Sequence, residues 1–204
     1  MELAPLLKGI GIGFAIAVPV GPIGLLCIRR TLAQGQLIGL ASGLGAATAD
    51  GLYGGIAGFG LSAISQWLLD WSAWLQGIGG LFLCYLGVTT FLAQPATTPA
   101  AFTSRGLATA YSSTFVLTLT NPVTILSFIA IFAGLGLVNP SGERLAAGLI
   151  VAGVFLGSAL WWLMLSVAVS WLRSRFTLQA MQWLNRLAGL AILTFGIVAL
   201  GTSR

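Results

Sequence analysis

The sequence contains no histidine, and only two of its 204 residues are cysteine. Histidine and cysteine are the usual ligands of zinc in proteins, and histidine is the commonest acid–base catalyst near neutral pH. The composition therefore argues against a dedicated metal site and against acid–base catalysis. We expect a protein that is not an enzyme and that carries no cofactor.

Charged residues are equally scarce. They make up 6% of the chain, whereas 57% of the residues are hydrophobic, and a soluble domain carries about 25% charged residues. Such a chain cannot cover itself with a surface compatible with water, so we predict an integral membrane protein in contact with the lipid bilayer. The net charge of +5, from nine basic and four acidic residues, indicates membrane topology and no nucleic-acid partner.

Long apolar runs dominate the rest of the chain, and we predict an all-α integral membrane protein with six transmembrane helices. A helix of about 20 apolar residues spans a bilayer. The predicted spans are residues 6–28, 37–66, 71–93, 106–134, 145–172 and 178–201. The first run continues past Ala15-Ile16-Ala17, which argues against a cleaved signal peptide.

Two internal alignments indicate that the second half of the chain repeats the first. Residues 74–81 align without a gap with residues 183–190, and residues 20–26 align with residues 120–126. A repeat of three spans must be inverted in the membrane because three is odd, and inverted repeats are typical of secondary transporters. We therefore predict one polytopic membrane domain. Its parts are repeat one over residues 1–93, a linker over residues 94–105 and repeat two over residues 106–204.

Prolines break the first and the fourth predicted helices. Pro19, Gly21 and Pro22 lie in the first, and Asn121 and Pro122 lie at the corresponding place in the fourth. A proline in a helix interior has no N–H to donate and crowds the carbonyl four residues back. Backbone groups freed in this way are costly in lipid unless they are buried in protein or line a wet cavity. The paired breaks therefore predict a central binding site, and two packing kinks are the alternative.

Asp50 is the only acidic residue far from the end of a predicted span. A carboxylate at membrane depth costs roughly 2.5–3.5 kcal/mol on insertion scales, so ionisable residues there usually serve function. We predict that Asp50 binds a substrate ammonium group, a coupling proton, or each in turn. Tyr53 lies three residues on and shares its helix face, so it joins the predicted site. The alternative is a structural Asp50 that bonds freed carbonyls or pairs with an arginine.

The roles of three threonines and of the two cysteines each have two interpretations. Thr114, Thr118 and Thr124 either line the same path or bond the backbone of their own helix. Cys27 and Cys84 do not fall on equivalent positions of the repeat, so we interpret them as small buried residues and not as a redox pair.

With these features the chain resembles the LysE family of amino-acid exporters, also called LysE/RhtB translocators, over essentially its whole length. The motifs that carry the resemblance are Pro19-Val20-Gly21-Pro22, Gly43 to Asp50, Tyr85-Leu86-Gly87, Asn121-Pro122, and Asn185-Arg186 followed by Gly189. The resemblance implies six spans, a multi-pass location in the bacterial inner membrane, and efflux of amino acids driven by the proton gradient. It also implies that the translocation site is lined by Pro19, Gly21, Pro22, Asp50, Asn121 and Pro122.

The resemblance leaves the substrate open, because the lysine-exporter branch has Gln-Asn where this chain has Ile23-Gly24. Two other functions also stay open. A divalent-metal exporter would need several oxygen ligands, whereas Asp50 is a single carboxylate at membrane depth. A membrane thiol oxidoreductase would need Cys27 and Cys84 to meet and exchange.

Two sequence patterns bear on the orientation in the membrane and on the oligomeric state. More basic residues lie in the loops after the odd-numbered spans than on the opposite side, which favours both termini outside. The two sets are Arg29, Arg30, Arg105, Arg173 and Arg175 against Lys8, Arg144 and Arg204. Gly-x-x-x-Gly spacings such as Gly153 and Gly157 are interpreted as packing the protein's own bundle, and a homodimer is left open.

Overall fold

A computed structural model describes residues 3–18, 21–59, 71–93, 103–121, 124–125, 127–128, 144–173 and 177–202. All regular structure in these ranges is α-helical, as predicted. The helices are α1 (Leu3–Ala17), α2 (Pro22–Gln34), α3 (Gln36–Gly58), α4 (Ser72–Leu92), α5 (Ser104–Leu119), α6 (Arg144–Arg173) and α7 (Leu178–Thr202). Pro19 and Pro122, two residues of the predicted breaks, lie outside the described ranges.

Short-range chemistry explains both ends of α2 and the start of α5. Pro22 occupies the first position of α2, where its missing N–H costs nothing. The helix stops at Gly35, which has a φ of 102° and whose N–H bonds the carbonyl of Thr31, a conformation that favours glycine. At the start of α5, the Thr103 side chain caps the helix by accepting a hydrogen bond of 3.1 Å from the Gly106 N–H.

The first predicted span is two helices in the structure. The axes of α1 and α2 differ by 82° across a break of at most four residues. The prediction ended this span at residue 28, but α2 continues to Gln34. Arg29 and Arg30 are therefore part of a helix and not of a loop.

Among the described residues, three helices are long and apolar enough to cross a bilayer alone, namely Ala73–Leu92, Leu145–Leu172 and Gln179–Gly201. Helices α1 and α2 pass the same test only together, so they add a fourth span if the bent pair crosses the bilayer as one unit. Within the described ranges, α3 and α5 do not pass this test. Helix α5 has only 16 residues, and α3 is rich in Gly, Ala, Ser and Thr. The six-span inverted repeat therefore stays a prediction.

Glycines set how closely the helices pack. A Cβ on Gly13 of α1 would meet the backbone of Val154 on α6, and a Cβ on Gly153 or Gly157 would meet the backbone of α1. The same close contact joins α4 and α7, where Gly87 faces Leu193. Gly153 and Gly157 thus pack the protein's own bundle, as the sequence predicted.

Side-chain contacts fix the directions of the helices: α3 runs parallel to α5 and antiparallel to α6, and α4 runs antiparallel to α7. The pairs that show this are Thr48 with Tyr111, Tyr53 with Leu119, Gly43 with Trp162, Gly51 with Phe155, Gly80 with Leu200, and Gly87 with Leu193. Helices α2, α4 and α6 therefore end where α3, α5 and α7 begin. Arg29, Arg30 and Arg105 lie at this end, which we call the arginine end.

Candidate functional site

A cavity of about 350 Å³ is lined by residues from all seven described helices, α1 to α7. Four of the residues predicted for the site line it: Gly21, Pro22, Asp50 and Asn121. The structure therefore brings the first-span break, the membrane carboxylate and the fourth-span break around one space. Most of the remaining lining is apolar, with Leu83, Leu117, Trp162, Phe195 and Val198 among its residues.

Asp50 is held by a short chain of hydrogen bonds from α6. Its side chain is 3% exposed, and the Ser158 hydroxyl donates to its Oδ2 at 2.7 Å. The indole Nε1 of Trp162 donates in turn to the Ser158 Oγ at 3.1 Å. Among the described residues Asp50 forms no ion pair. A carboxylate that faces a cavity with only neutral donors is able to take up a cation or a proton.

The start of α2 presents backbone donors to the same cavity. Gly21 precedes the helix in an extended conformation, with φ −104° and ψ −163°, and supplies no side-chain cap. The first N–H groups of a helix have no acceptor within the helix, and their partial positive charge favours an anion. The N-terminus of α2, which lines the cavity through Gly21, Pro22, Ile23 and Gly24, is thus suited to a carboxylate.

Asn121 marks the second break. Helix α5 ends at Leu119, and the Asn121 carbonyl accepts hydrogen bonds from the N–H groups of Thr124 and Ile125, at 3.1 and 3.2 Å. Thr124 and Ile125, the next described residues, are helical. Both breaks contribute residues to the lining of the cavity.

The threonines fit both of their interpretations. Thr118 donates to the Thr114 carbonyl at 2.9 Å, and Thr114 donates to the Ala110 carbonyl at 3.0 Å, so both bond their own helix. Thr118 and Thr124 nevertheless line the cavity, and Thr114 does not. A hydroxyl that donates to its own backbone keeps lone pairs for a further donor.

Tyr53 is not among the residues that line the cavity. Its hydroxyl donates to the carbonyl of Leu119, and its ring packs on Phe128 with 5.7 Å between centroids. These contacts tie α3 to the end of α5 one turn from Asp50. A direct contact of Tyr53 with substrate stays a prediction.

Sequence reasoning did not find Ser158 or Gln76. Ser158 is fully buried and lies one turn before Trp162, but a lone serine in an apolar helix gives no signal of a partner that is 108 positions away. Gln76 lies in the repeated Trp-Leu motif and lines the cavity. Its repeat counterpart, Asn185, instead donates to the Ala93 carbonyl at 3.1 Å.

The structure bears on the two alternative functions, thiol exchange and metal export. Cys27 is buried, Cys84 is half-buried, and neither is in a disulfide. Across the described ranges, no group of three or more His, Cys, Asp or Glu residues lies close enough to hold a metal ion.

Comparison with known proteins agrees with this description. Residues 14–203 match the family model of the LysE type translocator. A Bacillus subtilis (strain 168) protein named "Putative amino acid efflux protein YcgF" is 27% identical over 93% of this chain and 92% of its own length. The Escherichia coli (strain K12) "Uncharacterized membrane protein YahN" is 32% identical over 70% of this chain and 65% of its own length. No solved structure matches the chain.

Proposed function

Because the chain belongs to the LysE type translocator family of membrane transporters, we propose that it exports amino acids or closely related small metabolites across the bacterial inner membrane. The observation that carries this proposal is the shared cavity. One acidic side chain, Asp50, and one uncapped helix start, at Gly21 and Pro22, line the same space. A relative that is similar over nearly its whole length is named for amino acid efflux.

The two polar elements suit the two charged ends of an amino acid. Asp50 is an anion in a site that lacks other described acids, so it would bind the α-ammonium group. The first N–H groups of α2 have no acceptor within the helix, and they would bind the α-carboxylate. Between them, Leu83, Phe195 and Val198 provide apolar contact for a side chain.

Proton coupling is assigned to Asp50. In this mechanism the carboxylate binds the substrate ammonium on one face of the membrane and a proton on the other, so the two are exchanged. Ser158 remains hydrogen-bonded to Asp50 in both states, because a serine hydroxyl is able to donate or accept. The exchange would make export depend on the pH gradient.

Alternating access in two inverted repeats is part of the same proposal. In the predicted repeat, α1 corresponds to α5, α3 to α6, and α4 to α7. Exchanging the two repeats therefore turns the contact between α1 and α6 into the contact between α5 and α3. The same exchange leaves the contacts between α3 and α6 and between α4 and α7 unchanged. All of these pairs are in extensive contact. Such pairing supports a two-fold axis in the membrane plane with the cavity near it. We place both termini outside on the basis of the basic residues at the arginine end.

Counterflow in proteoliposomes tests the proposal. The purified protein is given labelled basic, small polar, branched-chain and sulfur-containing amino acids, with and without an imposed pH gradient. We expect uptake of at least one class that responds to the gradient. Folded protein that is silent with every amino acid would contradict the proposal, and uptake of a divalent cation in its place would assign the cavity to metal export.

A further inference from the structure

Two arginines at the end of α2, the half-buried Arg29 and the buried Arg30, have no part in the site described above. Arg30 is 9% exposed, and the structure gives it four hydrogen bonds, all to neutral acceptors. Its Nη1 donates to Ser42 Oγ at 2.9 Å, to the Ala110 carbonyl at 3.0 Å and to Thr114 Oγ1 at 2.9 Å. Its Nη2 donates to Ser113 Oγ at 2.8 Å.

Arg29 points to the other side of α2. Its Nη1 donates to Thr90 Oγ1 on α4 at 3.0 Å, and its Nε is buried without a partner. Together the two guanidinium groups fasten α2 to α3, α4 and α5. In the described part of the chain neither arginine has a carboxylate partner.

These contacts lie just beyond the cavity on each helix, toward the arginine end. On α3, Ser42 is one turn before the lining residue Ala46, and on α5, Thr114 is one turn before the lining residue Thr118. On α2, Arg30 follows the lining residue Gly24 by six positions. The space between is filled by a buried apolar layer. Its members include Leu26, Cys27, Leu86 and Ile192.

We propose that Arg29 and Arg30 form a gate that closes the transport path at the arginine end, and that this gate opens when Arg30 releases its acceptors on α3 and α5. This inference rests on the proposed transport function. In the structure the guanidinium contacts and the apolar layer beneath them lie between the cavity and the arginine end, which is the closed state of the proposed gate.

The two α5 hydroxyls that accept from Arg30 keep a second hydrogen-bond partner when Arg30 moves away. Thr114 also donates to the Ala110 carbonyl at 3.0 Å, and Ser113 donates to the Thr109 carbonyl at 2.6 Å. Each hydroxyl therefore keeps a partner on its own helix after Arg30 leaves. A carboxylate in the same place would be left as a buried unpaired charge, which is far more costly. The unpartnered Nε of Arg29 also makes the closed state less stable than a fully bonded one.

Helix α2 is suited to move as one unit. It has 13 residues and is bounded by the break at Gly21 and by Gly35, which has a φ of 102°. Hinges are short segments at the ends of elements that absorb a backbone change. A tilt of α2 about these two points would withdraw Arg30 from α5 and shift the cavity wall at Pro22 in one motion.

Cys27 is a native reporter for the gate. It lies in the apolar layer, one turn before Arg30, and is 1% exposed. In a Cys84→Ser background it is the only thiol, and a membrane-impermeant thiol reagent applied at the arginine end reaches it only through an open gate. We expect Arg30→Gln to raise the rate of Cys27 labelling roughly tenfold or more, since one charge-assisted hydrogen bond changes an equilibrium by that factor.

Two further variants separate a gate from a general loss of structure. Arg105→Gln changes an exposed arginine at the same end and should leave labelling unchanged. The double variant Ser113→Ala with Thr114→Val keeps both arginines, removes two acceptors and should also raise labelling. Unchanged labelling in both Arg30→Gln and the double variant would overturn the gate.

Transport gives a second readout that a purely structural arginine would not produce. A weakened gate should retain counterflow of a labelled amino acid and lose at least about tenfold in accumulation against a gradient. Parallel loss of counterflow and accumulation, with normal labelling, would overturn the proposal. If labelling rises but no amino acid is carried by any variant, the gate stands and the amino-acid assignment fails.

Discussion

At the scale of single residues, the account depends on how Asp50 is held. The Ser158 hydroxyl is its one hydrogen-bond donor among the contacts described, and Trp162 fixes that hydroxyl from behind. A buried carboxylate that loses a donor has a less stable charged form. In the proposed mechanism Ser158 is therefore a positioning residue, since it would act on the substrate through Asp50.

Replacement of Ser158 by alanine should weaken the binding of a cationic ligand. A hydrogen bond to a charged group contributes about 1.5–3 kcal/mol, so we expect the apparent substrate affinity in counterflow to fall roughly tenfold or more. Ser166→Ala is the matched control, because Ser166 is also buried on α6 but lies eight positions along the helix from Ser158, whose hydroxyl donates to Asp50. Equal behaviour of the two variants would show that the Ser158 contact has no effect on binding.

Gly21 offers a second test at this scale. A Cβ built on Gly21 meets no atom within 4 Å, and the residue lines the cavity. Gly21→Ala should therefore transport normally, whereas the larger side chain of Gly21→Leu should fill the path and reduce turnover at least about tenfold without loss of stability. Full activity of Gly21→Leu would place the path elsewhere.

At the scale of elements, the bundle depends on close backbone contact between glycine-bearing helices. Helices α1 and α6 meet through Gly9, Gly13, Gly153 and Gly157, and a Cβ on any of these would meet backbone of the other helix. Backbone atoms cannot rotate out of the way as side chains do. The contact between α1 and α6 is therefore a sensitive point for stability.

Gly13→Ala should lower the stability of the folded protein by about 2 kcal/mol, because an added methyl group in a tightly packed contact forces the helices apart. Gly11→Ala is the control on the same helix, since a Cβ there meets nothing within 4 Å. That change should be neutral or stabilising by up to about 1 kcal/mol, as alanine favours a helix. Thermal unfolding in detergent measures both, and equal midpoints would contradict the packing described.

At the scale of the whole molecule, the sequence predicted the helical class and the shared cavity but not its full lining. The break at Gly21 and Pro22 was predictable because proline removes a backbone donor wherever it stands. The contact between Asp50 and Ser158 was not, because it joins two helices over 108 positions. The sequence predicts a loop at Arg29 and Arg30 because their charge ends an apolar run, whereas in the structure they are helical and donate to neutral hydroxyls of other helices.

The number of membrane-spanning helices is also not settled by hydropathy alone. Helix α3 contains Asp50 and many small residues, which lower its hydropathy. The sequence predicts a span over residues 37–66, whereas α3 is not among the described helices that are long and apolar enough to cross a bilayer alone. Its place next to α5 and α6 becomes evident only from tertiary contacts.

The central claim is that Asp50 couples amino-acid export to protons. The most direct test compares the wild-type protein with Asp50→Asn in proteoliposomes under an imposed pH gradient, with a labelled amino acid that the wild type carries. The asparagine keeps the size of the side chain and its bond to Ser158 but has no charge and takes up no proton. We predict gradient-driven accumulation by the wild type and at least about a tenfold loss in the variant. Equal, gradient-dependent accumulation by both proteins would contradict the account.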